Sequence, residues 1–329
     1  ALGPELLIAL TSGARMVSLF GDDRQLFPCV INCEHESTRQ TMRYSDFERY
    51  RLRYKINLYS YSMAGQVMAK ARFSDAYFKL LEKPTRETWE MARRDEGAPM
   101  DLRNQYRMED GHTLFLNKLI YDDPDSTLVP NFDLGRLGPL QRDSRQRLLL
   151  LGWAGLFPGA APQTVDRILE TKVVLINSGG TGRVEEKKDP PLASSPHNKR
   201  EADIVNVMVS CLRGGGVPIP SILVVTPYNG QRELLRRSLE DKQVHVSSVD
   251  GIQGGENDVV LLSLVRSNDR GNVGFLDVEN RLAVALSRMR LFLFVVADTG
   301  TLRQSNSRLL NKLVAFCEEE ALIVDWELF

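Results

Sequence analysis

An α/β domain layered around a parallel sheet is the fold class this sequence predicts, on three observations. Short runs rich in Val, Ile and Leu are apolar at consecutive positions, as strands buried on both faces of a sheet must be. Stretches with apolar residues at helical spacing lie between those runs. Turn-forming Gly, Pro and Ser punctuate the junctions. Strand alternating with helix puts the functional loops at the carboxyl ends of the strands.

Taken in order, the first strand is Val17–Gly21 and the next Val173–Ile176. Arg200 to Leu212 then sets Ala202, Val205, Val209 and Leu212 on one helical face, and Gly214 to Gly216 ends that helix. Ile222–Thr226 reads as a strand, Gln231–Lys242 as a helix and Val259–Val265 as a strand. A helix over Asn280–Arg290 and a strand over Phe292–Ala297 complete the series. The segment 179–199 is rich in Gly, Pro, Ser and charge and reads as an exposed linker, and 34–73 and 130–165 read as insertions.

The 329 residues suffice for one large domain or two ordinary ones, and 43% hydrophobic with 26% charged residues describes a globular chain. A formal net charge of −1 gives no overall basic field, so a nucleic-acid partner has to be met by local positive charge. Cys29, Cys33, Cys211 and Cys317 are scattered, which fits a reducing compartment better than a disulfide framework. The longest apolar run, Leu148 to Phe157, is too short and too interrupted by Gly to span a bilayer, so no membrane partner is expected. No secretory signal is evident at the start of the chain.

Several strand ends carry chemistry-bearing residues. VSLFGDDRQLFP, residues 17–28, ends a strand in Gly21-Asp22 and places Gln25 on the loop, where an amide can orient a water or a phosphate oxygen. NQYRMED, residues 104–110, offers Arg107, a planar fork that fits phosphate or pairs with a neighbouring carboxylate. ILVVTPYNGQRELL, residues 222–235, runs from strand into a helix whose free N–H groups attract anions. VSSVDGIQGGENDVVLLSLVRSN, residues 246–268, sets Gln253, Gly254 and Glu256 before an apolar strand that ends in three donors, Arg266, Ser267 and Asn268. Glycine lets backbone N–H groups approach a phosphate, and the donors suit a sugar–phosphate chain. NRLAVALSRMR, residues 280–290, would align Arg281, Ser287 and Arg288 on one side of a helix. Each stretch alone also makes an ordinary turn, salt bridge or solvated face.

In the order GDxxQLxP, QYRM, TPYxGQ, VDxxQGxExD and VALSRxR, these residues resemble superfamily 1 helicases of the up-frameshift and senataxin type, from about Leu6 to Asp298. The resemblance implies a RecA-like parallel sheet flanked by helices, the second motor domain preceded by the end of the first. It divides the chain into 1–33, the end of the first domain; 34–100, insertion and connecting helices; and 101–329, the second domain. It implies ATP and Mg²⁺ as cofactors and single-stranded RNA or DNA as partner, RNA being favoured, in the cytoplasm or nucleus. Gln25, Arg107 and Arg288 become the catalytic residues, Arg288 as the arginine finger. Asp22, Tyr106, Gln253, Gly254 and Glu256 fall near the nucleotide. Thr226, Pro227, Tyr228, Ser247 and Arg266 fall near the strand. SDAYFKLLE, residues 74–82, is similar to the helix that precedes QYRM in the family.

The sequence departs from the family at Gly255, where an arginine is usual, and at Asn257, Asn280 and Ala283. No GxxxxGK[ST] occurs in the chain. The phosphate and Mg²⁺ ligands of such motors belong to the first domain, so the expectation is a portion of a longer helicase that is inactive alone. The alternative is a non-catalytic RecA-like module that binds nucleic acid or protein. The stretch 43–61 interleaves basic residues with six aromatics, which suits base stacking or an amphipathic element equally. Cys29, Cys33 and His35 lack an evident fourth ligand, and no metal site is expected.

Overall fold

The computed structural model describes residues 104–121, 127–153, 155–157, 159–180, 183–188, 195–252 and 255–326. They lie within one compact unit, Arg103–Phe329. Asp22, Gln25, Gln253, Gly254, the Val17–Gly21 strand, the stretches 43–61 and 74–82, Cys29, Cys33 and His35 lie outside the described residues.

Six parallel strands form the sheet: β3 (Val173–Asn177), β4 (Ile222–Thr226), β5 (His245–Ser248), β6 (Asn257–Ser263), β7 (Met289–Ala297) and β8 (Ile323–Asp325). Their spatial order is β5-β4-β6-β7-β3-β8. A short parallel pair, β1 (Asn104–Gln105) with β2 (Val129–Pro130), stands apart from it. The α/β class with a parallel sheet flanked by helices is therefore the observed one. Central strands β6 and β7 are buried almost throughout, which is why their sequences are continuous apolar runs and not alternating ones.

The helices are α1 (Asp110–Leu119), α2 (Pro139–Trp153), α3 (Pro162–Thr171), α4 (Lys199–Gly214), α5 (Asn229–Ser238), α6 (Glu279–Leu286), α7 (Thr299–Arg303) and α8 (Arg308–Glu319). Helix α4 begins where it does because Asn198 caps it, its side chain accepting from the Glu201 N–H at 3.2 Å. Helices α2 and α3 arise inside 130–165 and just beyond it, and they pack on β6 and β3. Among the described residues no helix is long and apolar enough to cross a membrane.

Several expectations differ from the structure. The helix read over Gln231–Lys242 runs Asn229–Ser238, and the strand read over Val259–Val265 runs Asn257–Ser263. The helix read over Asn280–Arg290 ends at Leu286, and Met289 already belongs to β7. Residues Leu282 to Leu286 are all buried, which leaves only the first turn of this helix solvated, and the chain turns at Ser287 to enter the sheet. The segment 179–199 is not simply exposed. Lys187 and His197 form an antiparallel bridge, and Glu186 folds against the loop after β6. A buried acceptor for that loop's N–H groups outweighs the polar composition of the segment.

A buried polar network holds the carboxyl end of β6. Gln231 Nε2 donates to the Ser263 hydroxyl at 3.0 Å, and that hydroxyl donates to Glu201 Oε2 at 2.7 Å. Glu201 Oε2 also accepts the Val265 N–H at 2.8 Å. Val265 has φ of 74°, a left-handed conformation that crowds a β-branched residue, and Arg266 N–H closes a tight turn onto Leu264 O at 2.8 Å. The network offsets the strain of that turn. Burial pushes the Glu201 carboxyl up to about 8, against the lowering effect of its bonds from Ser263 and Val265. A carboxyl raised in the folded state stabilises fully below its unfolded value near 4.5, and that contribution is lost as pH climbs towards 8. Glu201→Gln, which reproduces the neutral acid, is therefore expected to match the parent melting temperature near pH 5. Its advantage should grow steadily to pH 9, and thermal melts across that range check it.

Candidate functional site

Two groups of side chains gather at opposite edges of the sheet. At the amino edge, Glu256 precedes β6 and Arg288 precedes β7, while Arg107 follows β1. Arg107 Nε lies 2.5 Å from Glu256 Oε2, and its Nη1 donates to Ser287 O at 2.8 Å. Arg290 Nη1 approaches Glu256 Oε1 at 3.3 Å, and its Nε donates to Asp258 Oδ1 at 2.8 Å. Arg288 is 1% exposed, with Nε donating to Val284 O at 3.0 Å and Nη1 to Gly255 O at 3.3 Å. Its third nitrogen donates to the Ser287 hydroxyl at 3.0 Å. So Arg107, Glu256 and Arg288, which are far apart in the chain, meet in one place.

The supporting structure is buried. Asp258 is fully buried and accepts from Ser221 Oγ at 2.7 Å, and Ser144 Oγ donates to Ser221 at 2.7 Å. This chain ties α2 to the start of β6 and aims Arg290. Tyr106, beside Arg107, is 53% exposed, with the Arg136 guanidinium 5.1 Å from its ring. Its phenol ring presents a flat face to solvent next to the arginine cluster. Three guanidiniums stand near two carboxylates here, an excess of positive charge that Arg107 and Arg290 carry to the surface, whereas Arg288 is buried and engages Val284 O, Gly255 O and the Ser287 hydroxyl.

Behind this edge, His112 is fully buried, and its Nε2 donates to Lys172 O at 2.8 Å. Burial lowers its pKa to about 3, so the ring is neutral in the fold. A depressed folded value contributes stability above the unfolded value of 6.5 that is lost as pH falls towards 3. His112→Gln is expected to flatten the fall in melting temperature between pH 6.5 and 4, measured against the parent in the same buffers.

At the carboxyl edge the five residues expected near a strand fall close together. Thr226 ends β4 and is fully buried; Pro227 is half-buried; Ser247, on β5, is buried. Tyr228 is 2% exposed, and its hydroxyl donates to Val273 O at 2.9 Å. Arg266 is 8% exposed, with its Nε 2.9 Å from Glu186 Oε1. Tyr228 and Arg266 thus engage the protein itself.

Sequence reasoning left Asp258, Arg290, Ser287, Glu186 and Phe275 without roles. Asp258 had a legible signal, since a carboxylate opening an apolar strand must be paired on folding. Glu186 and Phe275 had none, because their neighbours come from distant segments.

A family model described as AAA domain matches residues 85–300. DNA polymerase alpha-associated DNA helicase A of Saccharomyces cerevisiae is 38% identical over 158 residues, 46% of this chain and 23% of that protein. DNA-binding protein SMUBP-2 of Mus musculus is 38% identical over 154 residues, 46% of this chain and 15% of that protein. Regulator of nonsense transcripts 1 of Dictyostelium discoideum is 27% identical over 335 residues, 99% of this chain and 20% of that protein. The matched region thus amounts to between 15% and 23% of these relatives' length.

Proposed function

Because the chain belongs to the AAA domain family, within the superfamily 1 helicases of the up-frameshift and senataxin type, we propose that it forms the second motor domain of an ATP-dependent helicase. The observation that carries this reading is the convergence of Arg107, Arg288 and Arg290 about Glu256 at the amino ends of β6 and β7. Bound ATP with Mg²⁺ would supply the phosphoryl bond whose hydrolysis drives translocation. Arg107 and Arg288 stabilise the charge that develops there, Arg288 as an arginine finger. Glu256 aligns Arg107 and accepts from the nucleotide's ribose, and Tyr106 stacks on its base. The family resemblance alone assigns Gln253, Gly254, Gln25 and Asp22 to nucleotide binding. The excess of guanidinium over carboxylate supports an anionic ligand at this edge, and Mg²⁺ ligation belongs to the phosphate-binding domain of such a motor.

The carboxyl edge, with Thr226, Pro227, Tyr228, Ser247 and Arg266, is the side assigned to a single strand, RNA in preference to DNA. The chain alone is expected to bind oligonucleotides without turning over ATP. Joining it to an upstream domain that carries a GxxxxGK[ST] loop should produce ATP hydrolysis stimulated by a single strand. A joined protein that folds and binds both ligands yet shows no stimulated turnover would sink the enzyme reading in favour of a binding module. RNA and DNA strands of one sequence, titrated side by side, decide the preference.

A further inference from the structure

The direction of the chain through the sheet marks one place at its carboxyl edge. From β4 the chain proceeds to its neighbour β5 on one side, whereas from β6 it proceeds to β7 on the other. Strands β4 and β6 are adjacent, so their departing connections leave a crevice between them, the position where α/β sheets hold ligands. Over that crevice lies a single 3₁₀ turn, Gly274–Asp277.

The turn is fastened from below. Tyr228 from the end of β4 donates to Val273 O, and Arg266 from the end of β6 lies under Gly274. A Cβ at Gly274 would come within 2.6 Å of Arg266 Nη1 and 3.1 Å of the Tyr228 hydroxyl, and Gly274 has φ of 55°. The left-handed conformation favours glycine here, and a Cβ would press on the Arg266 guanidinium. So anchored, the turn projects Phe275, which is 59% exposed despite belonging to a well-packed edge. The Tyr228 ring is 6.1 Å from the Phe275 ring, inclined at 41°, and the Arg281 guanidinium is 5.5 Å from it. Arg281 Nη2 in turn lies 3.4 Å from Asp250 Oδ2, just beyond the end of β5.

An exposed ring with a guanidinium over one face, held on a fixed turn, has the chemistry of a stacking platform for a base on its open face. We infer that Phe275, backed by Tyr228 and flanked by Arg281, stacks against a base of the single strand that crosses the carboxyl ends of β4 and β6. The inference rests on the nucleic-acid reading of this edge and deepens it. Tyr228 and Arg266 are then positioning residues, since both are buried and committed to the turn.

The test titrates the full chain with an oligonucleotide carrying 2-aminopurine, at several salt concentrations. Phe275→Ala should lower affinity roughly tenfold, because one lost base–aromatic stack has about that effect. The slope of affinity against salt should stay unchanged, since no phosphate contact is removed. Phe275→Trp should restore both affinity and quenching of the probe, whereas Phe275→Leu, which keeps the apolar bulk without a π face, should not. An alanine variant that binds and quenches like the parent overturns the stacking assignment while leaving the strand reading intact. A leucine variant equal to the parent overturns it as well. A parent chain that binds no strand at any salt overturns the strand reading and the platform with it.

Discussion

Arg107→Ala, in a protein joining this chain to an upstream phosphate-binding domain, is expected to lower strand-stimulated ATP hydrolysis by about a thousandfold. An arginine that neutralises charge on a transferring phosphoryl group contributes about 10³- to 10⁵-fold, and the lower figure is taken because Arg288 and Arg290 remain in the cluster. Arg107 is half-buried, and the loss leaves Glu256 with Arg290 as partner, so folding should survive the change. Arg107→Lys keeps the charge but loses the fork that reaches both Glu256 and Ser287 O, and it should recover only a small part of the rate. Steady-state turnover with saturating strand measures both. A rate within threefold of the parent for the alanine variant would remove Arg107 from the proposed machinery. Oligonucleotide affinity should be unchanged throughout, because Arg107 sits at the amino edge and the strand is assigned to the carboxyl edge.

Phe294→Ala should have the largest effect on stability. Phe294 is fully buried on β7, its ring 4.7 Å from that of Phe292 and 6.3 Å from that of Phe157. Truncating a buried Phe costs about 3–5 kcal/mol through lost contacts and the cavity left behind. Against a total stability of roughly 5–15 kcal/mol for a domain, that is enough to lower the urea midpoint severely. Arg107→Ala in the same denaturation series should unfold close to the parent, which separates the catalytic from the structural effect. A Phe294→Ala midpoint equal to the parent would mean that the three rings are not the packed core described.

How much of this was legible follows from the kind of force at work. Strand β4, Ile222–Thr226, was readable to the residue because five consecutive buried positions leave an unbroken apolar run. Helix α4 was readable within two residues because its apolar stripe and Gly214 to Gly216 agree. The end of α6 was not, since VALSRMR keeps a helical pattern past Leu286 and only pairing of Met289 with Asn257 draws it into the sheet. Buried polar partners were equally hidden. Nothing local to Glu186 announces Arg266, and nothing local to Glu201 announces Ser263.

Local patterning by itself therefore determined the α/β class, strands β3, β4, β6 and β7, helices α4 and α5 and the family motifs, because apolar periodicity and capping act over a few residues. Tertiary structure alone decided that Arg107, Glu256, Ser287 and Arg288 share one edge, and that Tyr228 and Arg266 turn inward to hold up Phe275. Those outcomes depend on strand order and on electrostatic pairing between residues up to 180 positions apart, which no short-range signal encodes.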